Sequence, residues 1–167
     1  MTRVATRWRG CAVAVVAALC DCASGPTLHG GVYRDRERGF AIAAPPPDWQ
    51  RIGVEDARLA FRGPNHESMA LLTHCDAGDA APAVLARRLR VGLGAHQLDE
   101  EHTTELAGRP AEVQWITVGE SRVKAVTRVA SPCVEDFVLV ARDDFGAAER
   151  VFDAWWASFA PAREATP

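Results

Sequence analysis

Three residues able to do chemistry stand side by side after an apolar run, in the segment "LLTHCDAG" at positions 71–78. His74, Cys75 and Asp76 could supply metal ligands, a thiol nucleophile beside its base, or one half of a disulfide bond. A metal site needs three or four ligands at recognisable spacings, and the sequence has no C-x-x-C or H-x-x-x-H pattern. A thiol nucleophile needs a base within reach, whereas successive side chains of a strand point to opposite faces. We therefore favour the disulfide and predict no metal site and no cofactor.

The N-terminal segment has the features of an export signal. Residues 1–10 carry three arginines and no acid, and a short run of small and apolar residues follows. This run is too short to span a bilayer, which takes about 20 residues. We predict that residues 1–22 are a signal peptide and that Cys22 accepts a lipid anchor. Cleavage near Gly25 without lipidation is the alternative, because Asp21 stands where a small residue is usual.

Two cysteines remain outside the signal region, Cys75 and Cys133. An even number of cysteines in a chain exported to the oxidising periplasm favours disulfide bonding. Both residues lie at edges of predicted strands, where neighbouring strands can bring two cysteines within bonding distance. We predict that Cys75 and Cys133 form a disulfide bond.

The remaining chain predicts a single α+β domain, as expected for a length of 167 residues. We assign residues 23–31 to a flexible tether, 32–160 to the domain and 161–167 to a disordered tail. Strands joined by short turns indicate an antiparallel β-sheet, and apolar stripes at helical spacing predict helices over 79–93 and 143–160. The fold class is therefore an antiparallel sheet flanked by helices.

One predicted strand, 68–75, is apolar on both faces. Met69 and Leu71 share one face, while Ala70 and Leu72 share the other. Strands that are buried on both faces show such continuous apolar runs. We predict that this strand is central and covered on both sides.

Three further residues form a candidate ligand or partner surface. Trp49 follows three prolines that must leave the sheet, and we expect it to fold back as a lid that packs on the core or stacks on a ligand. Arg87 and Arg88 lie on the polar face of the predicted helix 79–93. This face is either solvated or able to bind an anion.

Charge and motifs exclude several classes of function. The net charge is −3 and no basic face with interleaved aromatic residues is present, which argues against nucleic-acid binding. The chain has no Ser-His-Asp, paired-carboxylate or glycine-rich phosphate pattern in recognisable context. We predict a non-enzymatic protein with no catalytic residues.

The sequence from Tyr33 to Phe159 resembles the PsbP-like α/β/α sandwich. More closely, it is similar to a group of uncharacterised lipoproteins from deltaproteobacterial genomes. The resemblance rests on "GFAIAAPP", "LAFRGP", a strand ending in "HCD", "LARRLRVGL", "ELAGRPA" and "CVEDFVLVA". It implies that Cys75 pairs with Cys133, because cysteines recur at both places in that group. Members of the wider fold mostly act as accessory or assembly proteins that bind partners, so the resemblance supplies no catalytic residue.

These observations predict an envelope lipoprotein, anchored to the outer membrane through Cys22 and facing the periplasm or the cell surface. Its domain would bind another envelope protein. The alternative is a periplasmic module that binds a small molecule or lipid in a pocket between helix and sheet. An apolar cavity of a few hundred Å³ would favour this alternative, whereas a shallow exposed apolar patch would favour protein binding.

Overall fold

The computed structural model describes residues 25–75 and 80–161. The helices are α1 (Pro82–Gly92) and α2 (Phe145–Ala157). The strands are β1 (Thr27–His29), β2 (Val32–Asp35), β3 (Phe40–Ala43), β4 (Gln50–Arg51), β5 (Ala57–Arg62), β6 (Ser68–Cys75), β7 (Gln97–Leu106), β8 (Arg109–Val118), β9 (Ser121–Ala130), β10 (Cys133–Ala141) and β11 (Ala160–Pro161).

These strands form two antiparallel sheets. The larger has the order β4-β5-β6-β10-β9-β8-β7, and the smaller has the order β1-β2-β3-β11. Gly108 and Gly119 stand in the β7–β8 and β8–β9 turns at φ of 73° and 58°, a conformation that glycine adopts without steric penalty. The predicted α+β fold with an antiparallel sheet flanked by helices is confirmed.

The core lies on one face of the large sheet, called here the inner face, under α2 and the small sheet. Phe137 of β10 and Phe61 of β5 contact the Trp155 ring of α2 edge to face, with centroids 5.9 and 5.7 Å apart. Edge-to-face aromatic pairs stabilise by about 0.5–1.5 kcal/mol beyond area burial. The aromatic stripe of the predicted C-terminal helix therefore packs in the core.

Helix α1 lies on the opposite, outer face of the large sheet, where it packs over β8 and β9. Leu85 and Ala86 are the buried residues of this helix. The prediction that strand 68–75 is covered on both sides is wrong. Ala70 and Leu72 are only half-buried, because α1 stops short of β6 and no other described element lies over them.

The predicted disulfide is present, joining Cys75 of β6 to Cys133 of β10. The two residues are direct partners in the β6–β10 ladder, with Cα atoms 3.9 Å apart. Their separation along the chain is 58 residues. The bond therefore fastens one end of the ladder that joins the two halves of the large sheet.

The predicted flexible tether at 23–31 is wrong for its second half. Thr27–His29 forms β1, which pairs with β2, and Arg51 Nη1 donates a hydrogen bond to the carbonyl oxygen of Pro26 at 3.2 Å. All three residues of β1 are exposed, so backbone pairing holds the strand without an alternating apolar pattern. Pro161, assigned to the tail, pairs with Phe40.

Replacing both bonded cysteines by alanine should lower the free energy of unfolding by about 4 kcal/mol, because the bond no longer restricts the unfolded chain. Urea unfolding of the wild type and of the Cys75→Ala/Cys133→Ala variant measures this difference. A reducing agent should bring the wild type down to the variant and leave the variant itself unchanged. Equal midpoints for the oxidised wild type and the variant would contradict the prediction.

Candidate functional site

The part of the outer face that α1 leaves uncovered forms an open groove of about 430 Å³, called here the sheet groove. Leu89 of α1 forms one wall, and Ile52 and Val54 after β4 form the other. Val54 is 47% exposed, and Val140 in the floor is 37% exposed. The floor is apolar and comes from β5, β6 and β10, with Ala60, Ala70, Leu72, Val138 and Val140.

Strand alternation and register produce this floor. Residues of β6 and β10 that alternate with the core residues point outward, so Ala70 stands beside Val138 and Ser68 beside Val140. Ala60 of β5 is the partner of Ala70 on its other side. Because Ala60, Ser68 and Ala70 have small side chains, this part of the floor is lower than the walls, which are formed by leucine, isoleucine and valine.

A second cavity of about 330 Å³ lies beside the groove and shares Leu89 with it. Three polar side chains line this second cavity, which is called here the polar end, namely His74, Arg88 and Asp136. Asp136 is the cross-strand partner of Leu72 in the groove floor, so the two cavities are contiguous. The combined site follows β6 from Ser68 to His74, which is about 20 Å at about 3.4 Å per residue.

Asp136 is a buried carboxyl at the base of the polar end, with 7% of its surface exposed. Its Oδ1 accepts a hydrogen bond of 2.6 Å from the Thr127 hydroxyl. Burial raises the pKa of Asp136, while the Thr127 hydrogen bond and the interaction with His74 oppose the increase. Glu112, also buried, stands on the other side of Thr127. Asp136 therefore holds its proton to a higher pH than an exposed carboxyl.

The site offers an apolar surface with three polar side chains at one end. Cys75 is disulfide-bonded and its thiol is not available as a nucleophile. His74 faces the groove side of the sheet, as the alternation along the strand predicts. Within residues 25–75 and 80–161, no three His, Cys, Asp or Glu side chains lie close enough together to hold a metal ion.

The residues predicted as a binding surface do not come together. Trp49 is 6% exposed and belongs to the core, so its burial does not support a role as a ligand or partner surface. Arg88 lines the polar end, while Arg87 is exposed on α1. The predicted lipid anchor Cys22 and Asp76 lie outside the described residues.

The sequence pattern does not single out Asp136 or the groove floor as a site. Asp136 looked like an ordinary polar position of a strand, and only the β6–β10 register places it beside Leu72 and near His74. The apolar outer positions Val138 and Val140 were the available signal. They indicated burial, but not which element would provide it.

The described part of the chain contains no helix with both the length and the hydropathy needed to cross a membrane. No protein-family model and no curated protein match the sequence.

Solved structures similar to this chain include cyanobacterial PsbP (CyanoP) from Synechocystis sp. PCC 6803. That match has a TM-score of 0.60 at 17% identity and covers 78% of this chain and 91% of CyanoP. A protein of unknown function from Pseudomonas aeruginosa has a TM-score of 0.46 at 19% identity, over 73% of this chain and 90% of that one. A protein from Bacteroides thetaiotaomicron has a TM-score of 0.43 at 11% identity, over 76% of this chain and 46% of that one. The CyanoP match shows that the domain has a PsbP-like fold.

The raised pKa of Asp136 predicts a specific pH dependence of stability. The folded protein keeps this proton to a higher pH than the unfolded chain, whose carboxyl has the ordinary value of 3.8. The contribution to stability is therefore full below pH 3.8 and is lost as pH rises through the folded pKa. An Asp136→Asn variant should lack this decline.

Urea midpoints of the wild type and of Asp136→Asn, measured across the acidic and neutral range, check this prediction. Taking the difference between the two curves removes the effect of burial on the pKa of Glu135, whereas the smaller increase caused by the Asp136 charge belongs to the carboxylate under test. The exposed control Glu120→Gln should follow the wild type. Parallel curves for the wild type and Asp136→Asn would show that the Asp136 pKa is not raised.

Proposed function

We propose that this chain is an exported, non-enzymatic envelope lipoprotein of the deltaproteobacterial group that its sequence resembles. A lipid on Cys22 anchors it to the outer membrane, facing the periplasm or the cell surface. Its PsbP-like domain acts as an accessory domain that holds an apolar helix of another envelope protein in the sheet groove.

The disulfide supports the export part of this proposal. A bond between Cys75 and Cys133 forms and persists in oxidising compartments and is rare in the cytosol of most organisms. The basic and apolar sequence before Cys22 is of the kind that directs export. The two observations are independent, since one concerns the folded domain and the other the N-terminal segment.

The width of the sheet groove is the main observation that supports a role in binding a partner helix. Helix α1 lies over β8 and β9, and the next two strands of the sheet are β10 and β6. With strands about 4.8 Å apart, the middle of the β10–β6 pair lies about 10 Å from the middle of the β8–β9 pair. Packed helices have axes about 8–10 Å apart. The sheet groove therefore has room for one helix lying beside α1.

The chemistry of the groove specifies this helix further. Its floor contains small residues that allow close approach, and Leu89, Val138 and Val140 offer apolar contact. Arg62 lines one end of the groove and Arg88 the polar end. Neither arginine has an ion-pair partner within the described ranges. A partner helix with an apolar stripe and acidic residues near both ends fits these features.

The alternative function is a periplasmic module that binds a lipid or another small amphiphile. The observation that favours it is the meeting of an apolar groove with Arg88 and His74 at one end. An acyl chain could lie along the floor with its anionic head at Arg88. The groove is open along its length, however, and ligand pockets usually bury most of a ligand, so a protein partner fits the geometry better.

The anchor is tested by metabolic labelling with a fatty acid. The wild type should take up label and Cys22→Ser should not, because the serine hydroxyl does not form the thioether to the diacylglyceryl group. Cys20→Ser is the matched control and should be labelled like the wild type. Equal label in the wild type and Cys22→Ser would contradict lipidation at Cys22.

The groove is tested with a photoreactive residue at Val54 in cells that make the protein. Val140→Asp places a charge in the groove and should reduce the amount of crosslinked partner more than tenfold, because burying an unpaired carboxylate is strongly unfavourable. Val91→Asp makes the same change on α1, where Val91 is 69% exposed, and should leave the crosslink intact.

Equal crosslinking in Val140→Asp and Val91→Asp would contradict a partner in the groove. Native mass spectrometry of the purified protein distinguishes binding of a small amphiphile from binding of a protein partner. A bound acyl molecule that is lost in Val140→Asp and retained in Val91→Asp, with no protein crosslink in the wild type, would assign the groove to an amphiphile.

A further inference from the structure

Pro26 and β1 are fixed against the rest of the domain. Pro26 is buried, and its carbonyl oxygen accepts the hydrogen bond from Arg51. The guanidinium of Arg51 also lies over the Tyr33 ring, 5.2 Å from its centroid. With β1 paired to β2 directly afterwards, the backbone has little freedom at Gly25. Any group attached a few residues earlier is therefore held close to this side of the domain.

A cleft of about 370 Å³ opens at this point, called here the anchor-side pocket. Gly25 lies at its edge, and Thr27, His29, Arg34 and Arg36 contribute side chains to its lining. It is separate from the sheet groove, since it belongs to the small sheet on the inner side of the domain.

The anchor-side pocket has a net positive charge, and two of its arginines have no ion-pair partner in the described ranges. The two acids that line it, Asp35 and Glu37, both form ion pairs with Arg58. Arg34 and Arg36 are exposed and have no acidic partner among the residues that the structure describes. Arg58 therefore neutralises much of the negative charge, leaving two guanidinium groups facing a cavity.

We propose that the anchor-side pocket binds the phosphate group of an anionic membrane lipid. The proposal rests on the lipidation of Cys22 under the proposed function. Cys22 precedes Gly25 by three residues, which span at most about 11 Å, so the acyl chains enter the bilayer beside the pocket. Guanidinium groups match phosphate geometry with paired hydrogen bonds.

An exposed apolar residue supports a membrane lipid over a free phosphate. Leu28 lies in β1 between Thr27 and His29, with its side chain on the other face of this edge strand, and is 51% exposed. An exposed leucine on the edge strand that borders a cationic pocket suits the boundary between headgroups and acyl chains. Anchor and pocket together give the domain two membrane contacts, which fix its orientation instead of leaving it free to rotate about a tether.

The test uses the acylated protein in vesicles of phosphatidylcholine, with or without phosphatidylglycerol, containing a lipid with a nitroxide on its headgroup. A fluorophore on Leu28→Cys should be quenched, and more strongly in the presence of phosphatidylglycerol. Arg34→Gln/Arg36→Gln should remove that increase, whereas Arg87→Gln/Arg109→Gln, which removes two exposed arginines of α1 and β8, should retain it. A fluorophore on Val91→Cys reports whether quenching is confined to the pocket side and should show none.

Quenching at position 28 that is equal in the wild type and in Arg34→Gln/Arg36→Gln would overturn the proposal, as would equal quenching at positions 28 and 91. Mass spectrometry of the purified chain separates this result from failure of the proposed function. If no acyl group is found, the lipidation is wrong, and sedimentation of the unacylated protein with the same vesicles tests the pocket alone. Each arginine near an anionic surface contributes about fivefold to binding, so loss of both should weaken it roughly 25-fold. The proposal would be rejected if Arg34→Gln/Arg36→Gln bound the vesicles as tightly as the wild type. It would also be rejected if soluble glycerol phosphate abolished vesicle binding completely.

Discussion

The pairing of β6 with β10 is the contact on which the rest of the domain depends. It joins the β4-β5-β6 half of the large sheet to the half formed by β7 to β10. Eight residue pairs define its register, from Cys133 opposite Cys75 to Val140 opposite Ser68. Because side chains alternate between faces, a slip of one residue would exchange the core and groove residues of β10. The disulfide at one end of the ladder opposes such a slip.

Much of this arrangement was predictable from the sequence. The strand predicted at 68–75 has the bounds of β6, because its flanking turn residues and apolar run are both local signals. The disulfide followed from cysteine number and predicted export. By contrast, β1 has no alternating apolar pattern, since all of Thr27–His29 is exposed, and only its pairing with β2 reveals it. The groove also escaped prediction, because apolar residues on both faces of a strand do not tell which strands a helix covers.

The two faces of the large sheet explain how one short domain can be both stable and available for binding. The inner face supplies the core, where Phe137 of β10 packs against Trp155 of α2. Lys124 crosses from the sheet to Glu149 and Asp153 of α2, with nitrogen–oxygen distances of 2.9 and 2.7 Å. In the described part of the chain, α1 covers the outer face mainly over β8 and β9, so the groove half can take a helix without disturbing the core. The anchor-side pocket would hold the domain at the membrane while this half meets its partner.

The proposed function requires that a second molecule covers the sheet groove in the native envelope. Carbene footprinting of side chains, performed on intact membranes and on the purified protein, tests it directly. Val140 and Leu72 should be labelled in the purified protein and protected in the membranes, while Val84 and Val91 on the outer side of α1 should be labelled equally in both. Equal labelling of Val140 in the two preparations would show that the groove is empty in the envelope and would contradict the account.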